Sequence, residues 1–166
     1  MKLENVNLHH KNQMQTRELR ITRLSRHGTV AFLTGAAAVL LVHQPVIALL
    51  HWAGVTSFEA YSLQPTSPWG VPVWLSLSFW GGLWTIPIVW ALARLPRGWF
   101  YWLGAMLLGA VPPTFTTWIV IFPMRGFSPE AFNSVVPVAL VANGAWGLGI
   151  GVLWAMIASR HLRKVA

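Results

Sequence analysis

Hydrophobic and polar positions are strongly segregated along this chain. Residues 30–53, 71–93, 100–124 and 135–159 contain no Asp, Glu, Lys or Arg. A bilayer core needs about 20 predominantly apolar residues per helix, and each stretch is long enough to supply one. The pattern predicts four helices, over about 29–53, 71–93, 99–122 and 135–159, and the fold class expected is an all-α polytopic membrane protein. "RLPRG" (94–98) is too short to be more than a tight turn, so the second and third helices are antiparallel neighbours. The connection "TSFEAYSLQPTSPWG" (56–70) carries Pro65 and Pro68 among small polar residues, the composition of an ordered turn or cap. Its Phe58, Tyr61 and Trp69 are expected at headgroup depth. Trp52, Trp74, Trp99 and Trp102, near helix ends, extend the aromatic belt.

Charge then orients the helices. Lys2, Lys11, Arg17, Arg20, Arg23 and Arg26 precede the first, Arg94 and Arg97 lie between the second and third, and Arg160, Arg163 and Lys164 follow the fourth. The other two connections hold one basic residue, Arg125, with Glu59 and Glu130. This asymmetry predicts both termini on the cytoplasmic side. It also explains the net charge of +8 without nucleic acid as a partner. The chain divides into a basic polar segment (1–28), a four-helix domain (29–159) and a basic tail (160–166). Read as a helix, residues 16–27 could lay Arg17, Arg20, Arg23 and Arg26 against lipid headgroups; orientation charge alone accounts for them more simply. A cleaved signal peptide is disfavoured, because both the apolar span and the head before it are long. Cysteine is absent, which removes disulfides and thiolate chemistry.

The helices share motifs. "VPVWL" (71–75) leads to "WGGLW" (80–84), as "VPVAL" (136–140) leads to "WGLG" (146–149). The first and third helices each pair an early Gly-Ala with a late proline, Gly35-Ala36 with Pro45 and Gly104-Ala105 with Pro113. Two parallel copies of one helical hairpin would give this pattern. Coincidence among Ala, Val, Leu and Gly is an equal rival.

Polar residues inside the spans mark a candidate site. At about 1.5 Å per residue from the outer helix ends, His43 is about 15 Å deep, Asn143 and Thr114 about 12 Å and Ser78 about 10 Å. Gln44 adjoins the first. Polar groups at such depth normally face the bundle interior and bond to one another, so His43, Gln44, Ser78, Thr114 and Asn143 are expected to form one intramembrane polar layer. Pro45, Pro87, Pro112 and Pro113 each withdraw an N–H from a helix, freeing the carbonyls of Leu41, Leu83, Leu108 and Gly109, and are expected to kink it. Gly81, Gly82, Gly147 and Gly151 permit close backbone approach.

Few chemistries fit these residues. A bis-histidine haem wants ligands on facing helices, whereas His43 and His51 share one. Zinc lacks cysteine and intramembrane carboxylate ligands, so no metal and no cofactor are expected. Glu59 and Glu130 form no evident acid/base pair, and no catalytic constellation is visible. A proton-coupled exporter is expected to hold an intramembrane carboxylate, and the spans have none. His43 is read as a neutral hydrogen-bonding residue of the core, with proton relay or ligand binding as the alternative. The function expected is a non-enzymatic packing or interaction protein, partnered by lipid and by copies of itself or a larger membrane complex. The alternative is a small oligomeric transporter or channel component using the layer around His43 and Asn143.

Taken together, "HQPVIALLH" (43–51), "PTSPWGVPVWLSLSFWGGLW" (65–84), "LPRG" (95–98) and "NGAWGLG" (143–149) resemble a group of small bacterial four-helix inner-membrane proteins of uncharacterised activity. The resemblance spans about 30–153, implies a multi-pass location in a bacterial inner membrane, and transfers no activity.

Overall fold

The structure, a computed structural model, describes residues 27–121, 123 and 135–163, the last six by backbone alone. By contacts the chain forms two compact units, Met1–Val30 and Ala31–Ala166. Four helices are long and apolar enough to cross a membrane. Helix α1 spans His27–Trp52 and contains a π-turn at Val39–His43. An irregular connection follows, in which β1 (Pro65–Thr66) pairs antiparallel with β2 (Val71–Pro72). Helix α2 is Val73–Leu92. Helix α3 is Trp99–Thr116 and continues through a second π-turn, Thr117–Ile121. Helix α4 is Val136–Arg163.

The boundaries differ from the sequence expectation for local reasons. Helix α2 starts two residues late because Val71 and Pro72 are taken up in β2. Helix α4 runs past residue 159, because nothing in "ASRHLR" (158–163) stops a helix. Pro87, Pro112 and Pro113 all lie inside helices rather than at their ends.

Helix α4 is the hub of the unit, touching each of the other three and packing most extensively on α3. Small residues make that possible. A Cβ on Gly109 would lie 2.5 Å from the Gly147 Cα and 2.7 Å from the Asn143 carbonyl, and one on Gly147 would run into the Ala105 carbonyl. The backbones of α3 and α4 are therefore in direct contact. In the first hairpin the same thing happens at Gly35, where a Cβ would collide with Thr85 and approach the Gly81 carbonyl at 2.5 Å. Gly81 receives Val39, Gly82 receives Phe32, and Gly151 lies beside Ala105 and Trp102. The Trp146 indole of α4 donates to the Gly35 carbonyl at 3.1 Å. Around that bond Ala38, Val39, Ile88, Val89, Leu92, Ala105 and Ile150 form the main core. A smaller cluster, Ile47, Val138 and Ala142, lies at the end that bears the long connection. The outward faces are apolar, with Leu33, Leu41, Phe79, Trp90, Leu107, Ile119 and Val152 all exposed.

Candidate functional site

The candidate layer begins at the π-turn of α1. Pro45 has no N–H to give the helix. Just before it the register widens, so that the Gln44 N–H donates to the Val39 carbonyl, five residues back. The Leu40 carbonyl then has neither natural donor: Gln44 is used elsewhere and Pro45 has none. A side chain from the connection fills the gap. The Tyr61 hydroxyl donates to the Leu40 carbonyl at 2.7 Å. The Tyr61 backbone N–H donates to Gln44 Oε1, also at 2.7 Å. Tyr61 makes both bonds from a left-handed backbone, φ +53°, a region that side chains other than glycine seldom occupy.

His43 closes the π-turn and is buried. The Asn143 side chain from α4 lies beside it. The one well-aligned bond of that amide goes elsewhere, Asn143 Nδ2 donating to Thr114 Oγ1 of α3 at 2.9 Å. His43 Nδ1 is buried with no hydrogen-bond partner. Side chains from α1, α3 and α4 thus meet at one level, and one polar atom among them is left over.

The other expected members are placed differently. Gln44 is 2% exposed, but its amide oxygen faces the connection through Tyr61 rather than Asn143. Ser78 lies close to the level of His43, since Gly81 and Val39, each about one turn along, are in contact. Its hydroxyl donates to the Trp74 carbonyl of its own helix at 2.8 Å. Two residues unmarked in the sequence behave likewise, Thr85 donating to the Gly81 carbonyl and Thr117 to the Pro113 carbonyl. Such back-bonding satisfies a hydroxyl without any partner helix. Besides the Leu41 carbonyl, which Pro45 cannot serve, the π-turn also releases the carbonyl of Leu40, the one that Tyr61 caps. Tyr61, marked in the sequence only as an aromatic of the connection, reaches back to α1 through both its hydroxyl and its N–H.

Arg94 Nη1 donates to the Trp90 carbonyl at 2.6 Å, and its guanidinium stands 3.3 Å over the Trp90 ring. Arg17, Arg20, Arg23, Arg26, Arg125 and Glu130 lie outside the described residues. Among those described, no three His or carboxylate side chains converge as a metal would require. The chemistry open to the layer is hydrogen bonding, and proton exchange at a single imidazole.

Comparison with known proteins returns no matching family model, no similar curated protein and no similar solved structure.

Proposed function

We propose that this is a multi-pass membrane protein with both termini cytoplasmic, whose role is non-enzymatic. It packs with copies of itself or with a larger membrane complex, and its buried polar layer sets the register of the helices. The single observation that carries the reading is the Asn143–Thr114 bond between α4 and α3. Asn143 bonds to Thr114, Ser78 to its own helix and Gln44 to the connection, leaving His43 Nδ1 as the exception, and groups bonded in this way fit a packing device better than a passage. Four apolar helices with large side chains on their outward faces support insertion in a bilayer. The basic residues at the ends support the orientation, and the resemblance to small bacterial four-helix inner-membrane proteins suggests the compartment. An open apolar groove of about 360 Å³ between α1 and α4, lined by Leu41, Val42, Leu148 and Val152, gives the lateral surface relief against which another helix can fit.

His43 Nδ1 favours a second reading. A buried imidazole nitrogen without a partner costs about 1–3 kcal/mol, more than packing alone requires. A transporter or channel component in an oligomer would use it to bind a small polar solute or pass a proton.

Cross-linking in membranes separates the two, and the absence of cysteine makes it clean. Leu41→Cys or Val152→Cys should form covalent dimers, or be shielded from a membrane-permeant maleimide, whereas Phe79→Cys on another exposed face should do neither. Equal labelling at all three positions, with pH-dependent flux in proteoliposomes that His43→Leu abolishes, would replace the packing reading by transport.

A further inference from the structure

The connection between α1 and β1 does more than join two helices. Its first residues are tied to the end of α1, Gly54 N–H to the His51 carbonyl and Val55 N–H to the Leu50 carbonyl. Its last are tied to the start of α2, with Val73 N–H on the Gln64 carbonyl and Trp74 N–H on that of Ser62. Between these anchors, Ala60 is tucked against the cluster of Ile47 from α1 with Val138 and Ala142 from α4. That cluster stands directly over the layer. Ile47 is one helical turn beyond His43, and Ala142 immediately precedes Asn143. Phe58 and Leu63 on either side are exposed and add little hydrophobic grip. What fastens the middle of the connection is Tyr61, whose two bonds end on Gln44 and Leu40.

We propose that residues 55–64 are a plug, latched by Tyr61 onto the π-turn of α1, and that its release opens the bundle over the buried Nδ1 of His43. The geometry makes such a latch reversible. One acceptor, the Leu40 carbonyl, is freed by the π-turn and Pro45, and the other, Gln44 Oε1, belongs to the residue between them, so the wall offers the same two sites each time the plug returns. The backbone of Tyr61 is held in a sparsely populated conformation that relaxes when the bonds break. The seal itself is one methyl side chain, Ala60, on three apolar neighbours. His43, which nothing in the closed state satisfies at Nδ1, gains a partner when the mouth opens to water. The inference rests on the position of the layer and not on any interaction role for the protein.

Diethylpyrocarbonate, which acylates accessible imidazole, reads the latch in full-length protein held in lipid nanodiscs. His51 is exposed at the same end of α1 and serves as the internal reference. In the parent protein His51 should be modified and His43 spared. Tyr61→Phe should raise the His43 rate about tenfold, the shift expected for losing one hydrogen bond of about 1.4 kcal/mol. Ala60→Trp, which cannot seat against Ile47, Val138 and Ala142, should raise it as well. Amide exchange through α4 (136–157) should stay at the parent level in both variants. Unchanged protection of His43 in both variants overturns the proposal. So does modification of His43 in the parent at the rate of His51, or faster exchange throughout α4, which would mean general loosening. None of these outcomes depends on whether Asn143 and Thr114 stabilise the bundle.

Discussion

Asn143 and His43 occupy the same layer but are not equivalent. Asn143 holds Thr114 through a 2.9 Å bond, so replacing it by Leu leaves a buried hydroxyl on α3 without its donor. His43 already has one buried atom without a partner, and an apolar replacement removes that penalty along with the imidazole. Unsatisfied polar groups are costly, and exchanging them for apolar groups of similar shape is nearly neutral. Asn143→Leu should therefore cost about 1–2 kcal/mol in reversible unfolding from lipid–detergent micelles, and His43→Leu less than about 1 kcal/mol. The opposite order would mean that the imidazole, not the amide, organises the layer. At this scale the sequence was partly readable. Excluding every charge from the spans made His43, Ser78, Thr114 and Asn143 conspicuous, and helical rise alone put them at similar depth. It could not show that Ser78 and Thr85 satisfy themselves within their own helix, because that depends on a side-chain rotamer and not on spacing.

Helices α3 and α4 depend on the absence of side chains where they cross. Gly147 faces the Ala105 carbonyl and the Gly109 Cα, both backbone atoms that cannot move aside. Gly144, one turn away, has room: a Cβ there would meet Met106 Cγ at 3.5 Å and Ala110 Cβ at 3.6 Å, ordinary contacts. Gly147→Ala should lower stability by about 1–3 kcal/mol through overpacking. Gly144→Ala should be neutral or stabilising by up to about 1 kcal/mol through helix propensity. Thermal unfolding of the two variants side by side checks this, and equal effects would place the crossing elsewhere. The Gly147-x-x-x-Gly151 pattern pointed at this helix, but Gly109 and Gly35, which make equally close approaches, stand in Ala105-x-x-x-Gly109 and Ala31-x-x-x-Gly35, a small-residue spacing too common in apolar helices to single them out. Nor could the π-turn be read. Pro45 announced a missing N–H, but not that the helix would widen there or that the Leu40 carbonyl would be capped by Tyr61, 21 residues away.

For the molecule as a whole, the four apolar helices follow from where charge is excluded, and the direction proposed for each from where it gathers. The account expects reporter fusions after residues 1 and 166 to be active on the cytoplasmic side and one inserted after Ser67 to be active only outside. A cytoplasmic signal from the 67 fusion would invert the bundle and put the plug on the wrong face. What no reading of hydropathy could supply is the role of α4 as the hub, since Trp146 and its acceptor Gly35 are 111 residues apart.

The claim beneath all of this is that polar side chains from different spans are joined inside the bundle. A double-mutant cycle of Asn143→Leu and Thr114→Val, unfolded reversibly in the same lipid mixture, measures that joint directly. The account predicts a coupling of about 0.6–1.7 kcal/mol between the two positions, the range for interhelical hydrogen bonds in membranes. Strictly additive losses would mean that the two side chains do not act on each other and that the layer is not a unit.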